Sequence, residues 1–193
     1  TLDLLERFTQ EENLPFNTES FSPVDGGYRL GTGTDTEANL LRIAPSAALL
    51  DTFYGNQAAT RLSSVEANMT LTTFNPALAE DDQGIFFGLL LESAADGNNI
   101  GLRIEVVNSN AINILLVNNN TTTFLRQRAV NVASVRLRLN RDASTGAVTL
   151  VFNDEALGTP VGFVLPNDPV VPVLFVRDGG VIVTVNDWRV TLR

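Results

Sequence analysis

The residues of this sequence that are able to carry chemistry are carboxylates, hydroxyls, arginines and a few aromatic rings. The chain of 193 residues contains no histidine, no cysteine and no lysine. Composition therefore excludes a Ser–His–Asp triad, a thiol nucleophile, a thiolate zinc site and a lysine Schiff base. What remains is acid–base chemistry by carboxylates, calcium binding by carboxylates, and recognition of anions or sugars by arginine and aromatic side chains.

The carboxylates are poorly arranged for glycoside hydrolysis, which needs two of them facing one another across a sugar. The acidic clusters Glu80–Asp82 and Asp154–Glu155 stand in loop-like contexts beside Gly84 and Gly158. Adjacent residues of a strand point to opposite faces, so Asp154 and Glu155 cannot both reach one sugar. We therefore expect both clusters to be solvated turns, and we assign no catalytic residue.

The arginines give a better candidate for a binding site. Five of them fall on predicted strands, at the polar positions wherever the alternation is clear: Arg103, Arg126, Arg128, Arg136 and Arg138. If the strands near 100–107, 122–129 and 134–140 share one sheet, these side chains form one face that would grip an anionic glycan such as a uronate. The alternative is a solvated face whose arginines pair with acidic neighbours such as Glu105 and Glu92.

Aromatic side chains offer limited support for a sugar platform. The chain has one Trp and two Tyr. Trp188 shares the parity of Val190 and Leu192, which predicts packing in the core rather than display. Tyr28 fits either role, whereas Tyr54, directly before Gly55, is the best candidate for an exposed ring.

Hydrophobic residues alternate with polar ones along most of the chain, which predicts strands of an all-β protein. Residues 65 to 72 show the pattern clearly, and the apolar run from Ile85 to Leu91 predicts a central strand covered on both faces. Strands recur about every ten residues and are separated by turns such as Asp25–Gly26–Gly27 and Asp178–Gly179–Gly180. We predict a two-sheet antiparallel β-sandwich in one domain spanning residues 1–193.

The prediction allows at most one short helix, over Ala47–Phe53, with Ser46 as its N-cap. It also places an irregularity in the last strand. Regular alternation would place Val181, Val183 and Val185 on one face of the strand and Trp188 on the other. For all four to face the core, an extra residue must be inserted between Val185 and Trp188. We therefore predict a β-bulge at Asn186–Asp187.

Three segments together resemble the concanavalin A-like lectin/glucanase superfamily, in its laminin-G-like jelly-roll branch. They are ERF…FSPVDGGYRL (Glu6–Leu30), in which an opening strand precedes a Gly–Tyr strand, VRLRLNRDASTGAVTLVFNDEALGTPV (Val135–Val161) and VIVTVNDWRVTL (Val181–Leu192). The resemblance implies a jelly roll with paired terminal strands. It leaves function open, because this fold serves lectins, hydrolases and adhesion modules alike.

The resemblance also implies a structural calcium that ties the terminal strands together through an Asp of the closing strand. Asp187 stands at the matching position, and Asp3 or Glu6 would face it from the opening strand. The alternative is that Asp187 caps the bulge through backbone hydrogen bonds. No other cofactor is expected.

Charge narrows the choice of partners. The formal net charge of −9 argues against nucleic acid, which needs clustered positive charge, and no apolar run is long enough to span a membrane. We predict a non-catalytic, extracellular or cell-surface module for binding or for structural or adhesive interaction, with a lectin-like domain or a weak glycoside hydrolase as the alternative. A further alternative is a subunit of a larger surface assembly, which would use outward apolar residues as a partner surface: Leu115, Val117, Val107 and Val151.

Overall fold

The structure is a computed structural model, and two antiparallel sheets stacked as a sandwich dominate it. It describes residues 1–10, 18–31, 40–74, 84–108, 110–129, 134–142, 144–158, 167–177 and 181–193. Strands account for 66% of the described residues and helices for 13%, which confirms the predicted all-β sandwich.

Sheet A contains both terminal strands. Its strands are β1 (Leu2–Asp3), β2 (Phe21–Val24), β3 (Gly27–Leu30), β5 (Leu62–Phe74), β10 (Ser134–Arg141), β11 (Val148–Phe152), β12 (Glu155–Gly158) and β14 (Val181–Leu192). They run in the order β12-β11-β10-β5-β14-β3-β2, and β1 also pairs with β14. The first and last strands are therefore neighbours, as the resemblance implies.

Sheet B is formed by the middle of the chain together with β4 and β13. Its strands are β4 (Leu40–Ile43), β6 (Phe86–Ser93), β7 (Asn99–Asn108), β8 (Ala111–Asn118), β9 (Thr121–Ala129) and β13 (Val170–Arg177). The order β4-β13-β6-β7-β8-β9 places β6 in the interior of the sheet, which confirms the central strand predicted from the apolar run.

The core lies between the two sheets, because each strand turns alternate side chains inward. On β5, Val65, Ala67 and Met69 are fully buried while the residues between them face outward. In β6 the outward positions Phe86 and Leu90 are also apolar. This second apolar face explains why the sequence of β6 shows no alternation.

The closing strand β14 has the predicted bulge. Its pairing with β5 shifts between Val185 and Asp187, so Asn186 is the inserted residue. Beyond the shift, Trp188 is completely buried, and its ring meets that of Phe8 edge-on at a centroid distance of 5.6 Å. The bulge therefore brings the apolar residues on both sides of it into the same core.

The described residues contain three short helices, so the prediction of at most one is wrong. The helix α2 (Ala47–Tyr54) is the predicted one, and the Ser46 hydroxyl caps it by accepting a hydrogen bond from the Leu49 backbone N–H at 3.1 Å. The others are α1 (Leu4–Gln10) and α3 (Ala58–Arg61).

Helix α1 also corrects the expected opening strand, since Glu6 lies in this helix and only Leu2–Asp3 form a strand. The physical reason is the spacing of Leu4 and Phe8, which places both on the buried face of a helix. In addition, the Asp3 carboxylate caps the helix by accepting a hydrogen bond from the Leu5 N–H at 3.0 Å.

The turn at Asp25–Gly26 joins β2 to β3 as predicted, with Gly26 at a φ of +82°. The second predicted turn, Asp178–Gly179–Gly180, lies outside the described residues. Among the described helices, none is long and apolar enough to cross a bilayer.

Candidate functional site

The five arginines predicted to share one face belong to two different sheets. Arg103 lies on β7, and Arg126 and Arg128 lie on β9, all in sheet B, whereas Arg136 and Arg138 lie on β10 in sheet A. The assumption of a single sheet is therefore wrong. The chain crosses from one sheet to the other between β9 and β10, and alternation within each strand gives no sign of that crossing.

Three of these arginines meet the acidic turn between β11 and β12. Arg128 donates to both carboxylate oxygens of Glu155 (2.8 and 3.1 Å), and Arg126 lies 3.4 Å from the same carboxylate. Arg136 lies 3.3 Å from Asp154. The hydrogen bond from Arg128 is the main reason that the pKa of Glu155 lies below its usual value. β9 and β12 are edge strands of opposite sheets, so the contacts of Arg126 and Arg128 with Glu155 link the two sheets at this side of the sandwich.

The outward face of sheet A carries charges of both signs in neighbouring positions. Glu66 stands between two arginines, 3.6 Å from Arg138 and 3.9 Å from Arg136. Asp187 accepts hydrogen bonds from Arg189 at 2.6 Å and from Asn68 at 3.1 Å. Acidic side chains therefore lie between the arginines here. This arrangement agrees with the alternative of a solvated face whose arginines pair with acidic neighbours.

Arg103 stands in a different environment, on the outward face of sheet B. Its guanidinium lies over the ring of Phe86, 3.7 Å from the ring centre, and donates to Glu105 at 3.0 Å. Burial lowers the pKa of Arg103, and the nearby Glu105 carboxylate partly offsets that effect. The ring and the carboxylate together hold the guanidinium in one orientation.

Beside Arg103, a groove of about 420 Å³ opens on the outward face of sheet B. We call it the groove; its lining includes Phe86, Phe175, Arg42, Arg103, Leu90 and Thr122. The rings of Phe86 and Phe175 lie 6.1 Å apart, centre to centre. Apolar walls with a few fixed polar groups are typical of small-molecule sites.

Gly88 makes room for the Phe175 ring in the lining of the groove. It pairs with Phe175 on one side and with Arg103 on the other. A Cβ at this position would fall on the carbonyl oxygen of Leu102 and within 2.7 Å of Cε1 of Phe175. Only glycine therefore allows the Phe175 ring to lie across β6.

The far wall of the groove is formed by β4, where Arg42 donates a hydrogen bond to Glu92. Both Arg42 and Arg103 are thus paired with a carboxylate. The groove combines aromatic surface with polar groups, and its two arginines add no net positive charge.

Tyr54, expected to be exposed, is half-buried, so the expectation of a displayed ring is wrong. Its ring packs beside Phe53, and its hydroxyl donates to the backbone carbonyl of Asp3 at 3.3 Å. Burial raises the pKa of Tyr54 to about 12. Tyr28 is buried as well and stacks on Phe21 at 4.7 Å.

The carboxylates predicted to bind calcium have other partners in the structure. Asp3 caps helix α1, and Glu6 lies within that helix. Asp187 is bound to Asn68 and Arg189. Among the described residues, no three His, Cys, Asp or Glu side chains come together in a group suited to a metal ion. The structural calcium stays a prediction.

The remaining predicted residues are dispersed. Asp154 is the turn residue between β11 and β12 and Glu155 begins β12, whereas the cluster Glu80–Asp82 lies outside the described residues. The outward apolar residues do not form one surface: Leu115 and Val117 line the outward side of sheet B, and Val151 belongs to sheet A.

Sequence reasoning missed Phe86 and Phe175 because it searched for sugar platforms among Trp and Tyr alone. The chain has 11 Phe. A usable signal was present in the run from Ile85 to Leu91, where Gly88 interrupts apolar residues on both faces of a central strand. A glycine at such a position indicates that something approaches the backbone closely.

No protein-family model and no curated protein sequence matches this chain. Similar solved structures include the carbohydrate-binding module CBM66 from Bacillus subtilis, with a TM-score of 0.50 and 8% identity over 87% of this chain and 88% of that one. An alginate lyase from Klebsiella pneumoniae has a TM-score of 0.56 and 10% identity, over 90% of this chain and 84% of that one.

A third similar structure is the glycoside hydrolase family 43 protein BlXynB from Bacillus licheniformis, with a TM-score of 0.57 and 11% identity. The match covers 91% of this chain but only 35% of that protein, so this chain spans about a third of its length. At such identities the likeness concerns the fold. It confirms the predicted jelly-roll β-sandwich, while membership of the concanavalin A-like superfamily and of its laminin-G-like branch stays a prediction.

Proposed function

We propose that this chain is a non-catalytic carbohydrate-binding module, extracellular or at the cell surface, and that the groove on sheet B is its binding site. The observation that carries the proposal is the pair of adjoining Phe rings beside Gly88, one on its own strand and one on the neighbouring strand, with Arg103 fixed next to them. The carbohydrate-binding module among the similar structures shares the fold, which supports the proposal without locating a site.

The chemistry of the groove suits a sugar ring. A pyranose presents C–H groups on its faces and hydroxyls around its rim. The half-buried Phe86 supplies apolar surface for a face, and the buried Phe175 forms part of the floor beneath it. Arg103 supplies fixed N–H groups toward the rim, and its hydrogen bond with Glu105 means that little ordering is needed on binding.

Charge favours an uncharged glycan over a uronate. Arg42 and Arg103 already have carboxylate partners, so an anionic sugar would have to displace Glu92 or Glu105. The net charge of −9 also repels polyanions at a distance. We therefore infer a neutral glycan as the ligand.

The placement of the carboxylates supports a binding role rather than hydrolysis. Glu92 pairs with Asn99 of the next strand, and Glu105 lies six residues further along that strand. Six residues of a strand span about 20 Å, whereas glycosidases place their two carboxylates roughly 5 to 10 Å apart. Among the described residues, the two carboxylates that pair with the groove arginines are therefore too far apart to act on one bond.

Affinity electrophoresis tests the proposal. The protein is run through gels containing neutral polysaccharides (xylan, levan and mixed-linkage glucan) or anionic ones (alginate and polygalacturonate). We expect at least one neutral polymer to retard the wild type, with little change at higher salt, and the anionic polymers to have no effect.

Phe86→Leu removes one ring of the groove and keeps an apolar side chain in its place. We expect it to weaken binding about fivefold, the range expected for an aromatic contact. The matched control is Phe152→Leu, the same change at a buried position of sheet A, which should bind as the wild type does. Failure of every neutral polymer to bind would refute the proposal, and equal losses in both variants would move the site away from the groove.

A further inference from the structure

Phe124 lies on the same outward face as the groove, at the edge of sheet B, and is 58% exposed. It pairs with Leu115 of β8, which in turn pairs with Arg103 of β7. Paired residues of neighbouring strands point to the same side of a sheet. The largest exposed ring of the described residues therefore stands beside the groove.

Direct cross-strand pairs connect the groove to Phe124 in a single row. The row runs Phe175, Gly88, Arg103, Leu115, Phe124. Neighbouring strands lie about 4.8 Å apart, so four spacings separate the two end rings by about 19 Å. Gly88 has no side chain, so the Phe175 ring lies against its backbone and forms this end of the row.

Exposed apolar side chains are concentrated on this sheet. Of the five large ones among the described residues, Leu40, Val107 and Phe124 belong to sheet B. Leu40 lines the groove on β4, and Phe124 stands at the opposite edge of the sheet on β9. The apolar surface thus extends across the full width of the sheet, further than one sugar ring requires.

We propose, on the basis of the proposed function, that the site extends from the groove to Phe124 and binds a neutral glycan chain of about four sugar units lying across the strands. A sugar unit in an extended glycan is about as long as one strand spacing, so four spacings match about four units. Phe124 is the outer subsite. The ligand is then a segment of several sugar units rather than a single sugar.

Isothermal titration calorimetry with neutral oligosaccharides of increasing length tests this proposal. The probes are fragments, from one to six units, of the neutral polymer that retards the protein in the gels. We expect affinity to rise with each unit up to about four and then to level off. Phe124→Ala should weaken binding of the four-unit and six-unit fragments about fivefold and leave the two-unit fragment unchanged.

The control is Val24→Ala, which truncates an exposed apolar side chain of sheet A (41% exposed) and should change nothing. Equal affinities for two-unit and four-unit fragments, or an unchanged Phe124→Ala, would overturn this inference and leave the proposed function standing. Absence of binding by every fragment and polymer would overturn both. A dimer that Phe124→Ala converts to a monomer with unaltered sugar affinity would assign Phe124 to self-association and would also overturn the inference.

Discussion

The outward faces of the two sheets differ in how their polar groups are satisfied. On sheet A, arginines and carboxylates alternate across β10, β5 and β14, and Glu66 and Asp187 each contact an arginine. On sheet B, two adjoining Phe rings lie beside the arginines and help to line a groove. On both faces, arginines are paired with carboxylates. An arginine count alone does not locate a binding site.

Both faces have ion pairs, but the pairs differ in their surroundings and in what they stabilise. The pairs on sheet A are partly exposed and are worth little individually, about 0 to 1 kcal/mol. They mainly fix which residues face one another across the sheet. In the groove, Arg103 is held by a ring and a carboxylate at once, which fixes the orientation of its guanidinium.

Among these variants, Gly88→Ala should have the largest effect on stability and on glycan affinity, because the added methyl group enters the lining of the groove from below. The added methyl group would collide with the Leu102 carbonyl and the Phe175 ring. Overpacking of this kind costs about 1 to 3 kcal/mol of stability. We expect a Tm lowered by roughly 2–4 °C per kcal/mol, and glycan affinity reduced about tenfold, which corresponds to about 1.4 kcal/mol.

Gly97→Ala separates the two effects of that change. Gly97 has a φ of +76° and nothing within 4 Å of an added Cβ, so alanine adds backbone strain of about 1 kcal/mol without filling any site. Thermal unfolding should show a loss in both variants. Calorimetry should show lost binding in Gly88→Ala alone; weaker binding in both would mean that affinity merely follows stability.

A matched pair of Glu→Gln substitutions compares the two faces directly. Glu105→Gln removes the carboxylate that orients Arg103, so we expect a severalfold loss of neutral-glycan affinity and a gain of salt-sensitive retardation by alginate. Glu66→Gln, the same change on sheet A, should alter stability by less than about 1 kcal/mol and leave glycan binding unchanged. Affinity electrophoresis and thermal unfolding give both readouts, and similar losses of glycan binding would contradict the assignment to sheet B.

The sequence was sufficient for the sandwich and the bulge, but not for helices α1 and α3 or for the site. Alternation fixes which side chains face inward, so the sandwich and the bulge at Asn186–Asp187 followed from parity alone. Parity says nothing about which sheet a strand joins, and for that reason Arg103 and Arg136 were wrongly placed together. The Phe86–Phe175 pair joins strands far apart in the sequence, so only the order of strands in sheet B reveals it.

Tyr54→Phe should have a smaller effect, on how the free energy of unfolding depends on pH. The folded-state pKa of Tyr54, about 12, is raised above the usual value near 10, so the unfolded state loses its proton first as pH rises. The stability contributed by Tyr54 is fully present below about pH 10 and is lost between about pH 10 and pH 12. Urea unfolding across this interval should show a steeper loss in the wild type than in Tyr54→Phe. Equal slopes would mean that the hydroxyl is solvated, and Tyr54 would return as a candidate for display.

Calcium should have the smallest effect, with no measurable change in Tm on adding either the ion or a chelator. Calcium needs six to eight oxygen ligands, whereas Asp187 is engaged by Arg189 and Asn68, and Asp3 caps helix α1. The guanidinium of Arg189, 2.6 Å from the Asp187 carboxylate, also repels a cation at that point. A ligand that binds only the folded state must raise Tm. A rise with calcium that disappears in Asp187→Asn would therefore show that Asp187 exchanges its partners for the ion. Sheet A would then be a ligand-binding face as well, and the contrast between the two faces would no longer hold.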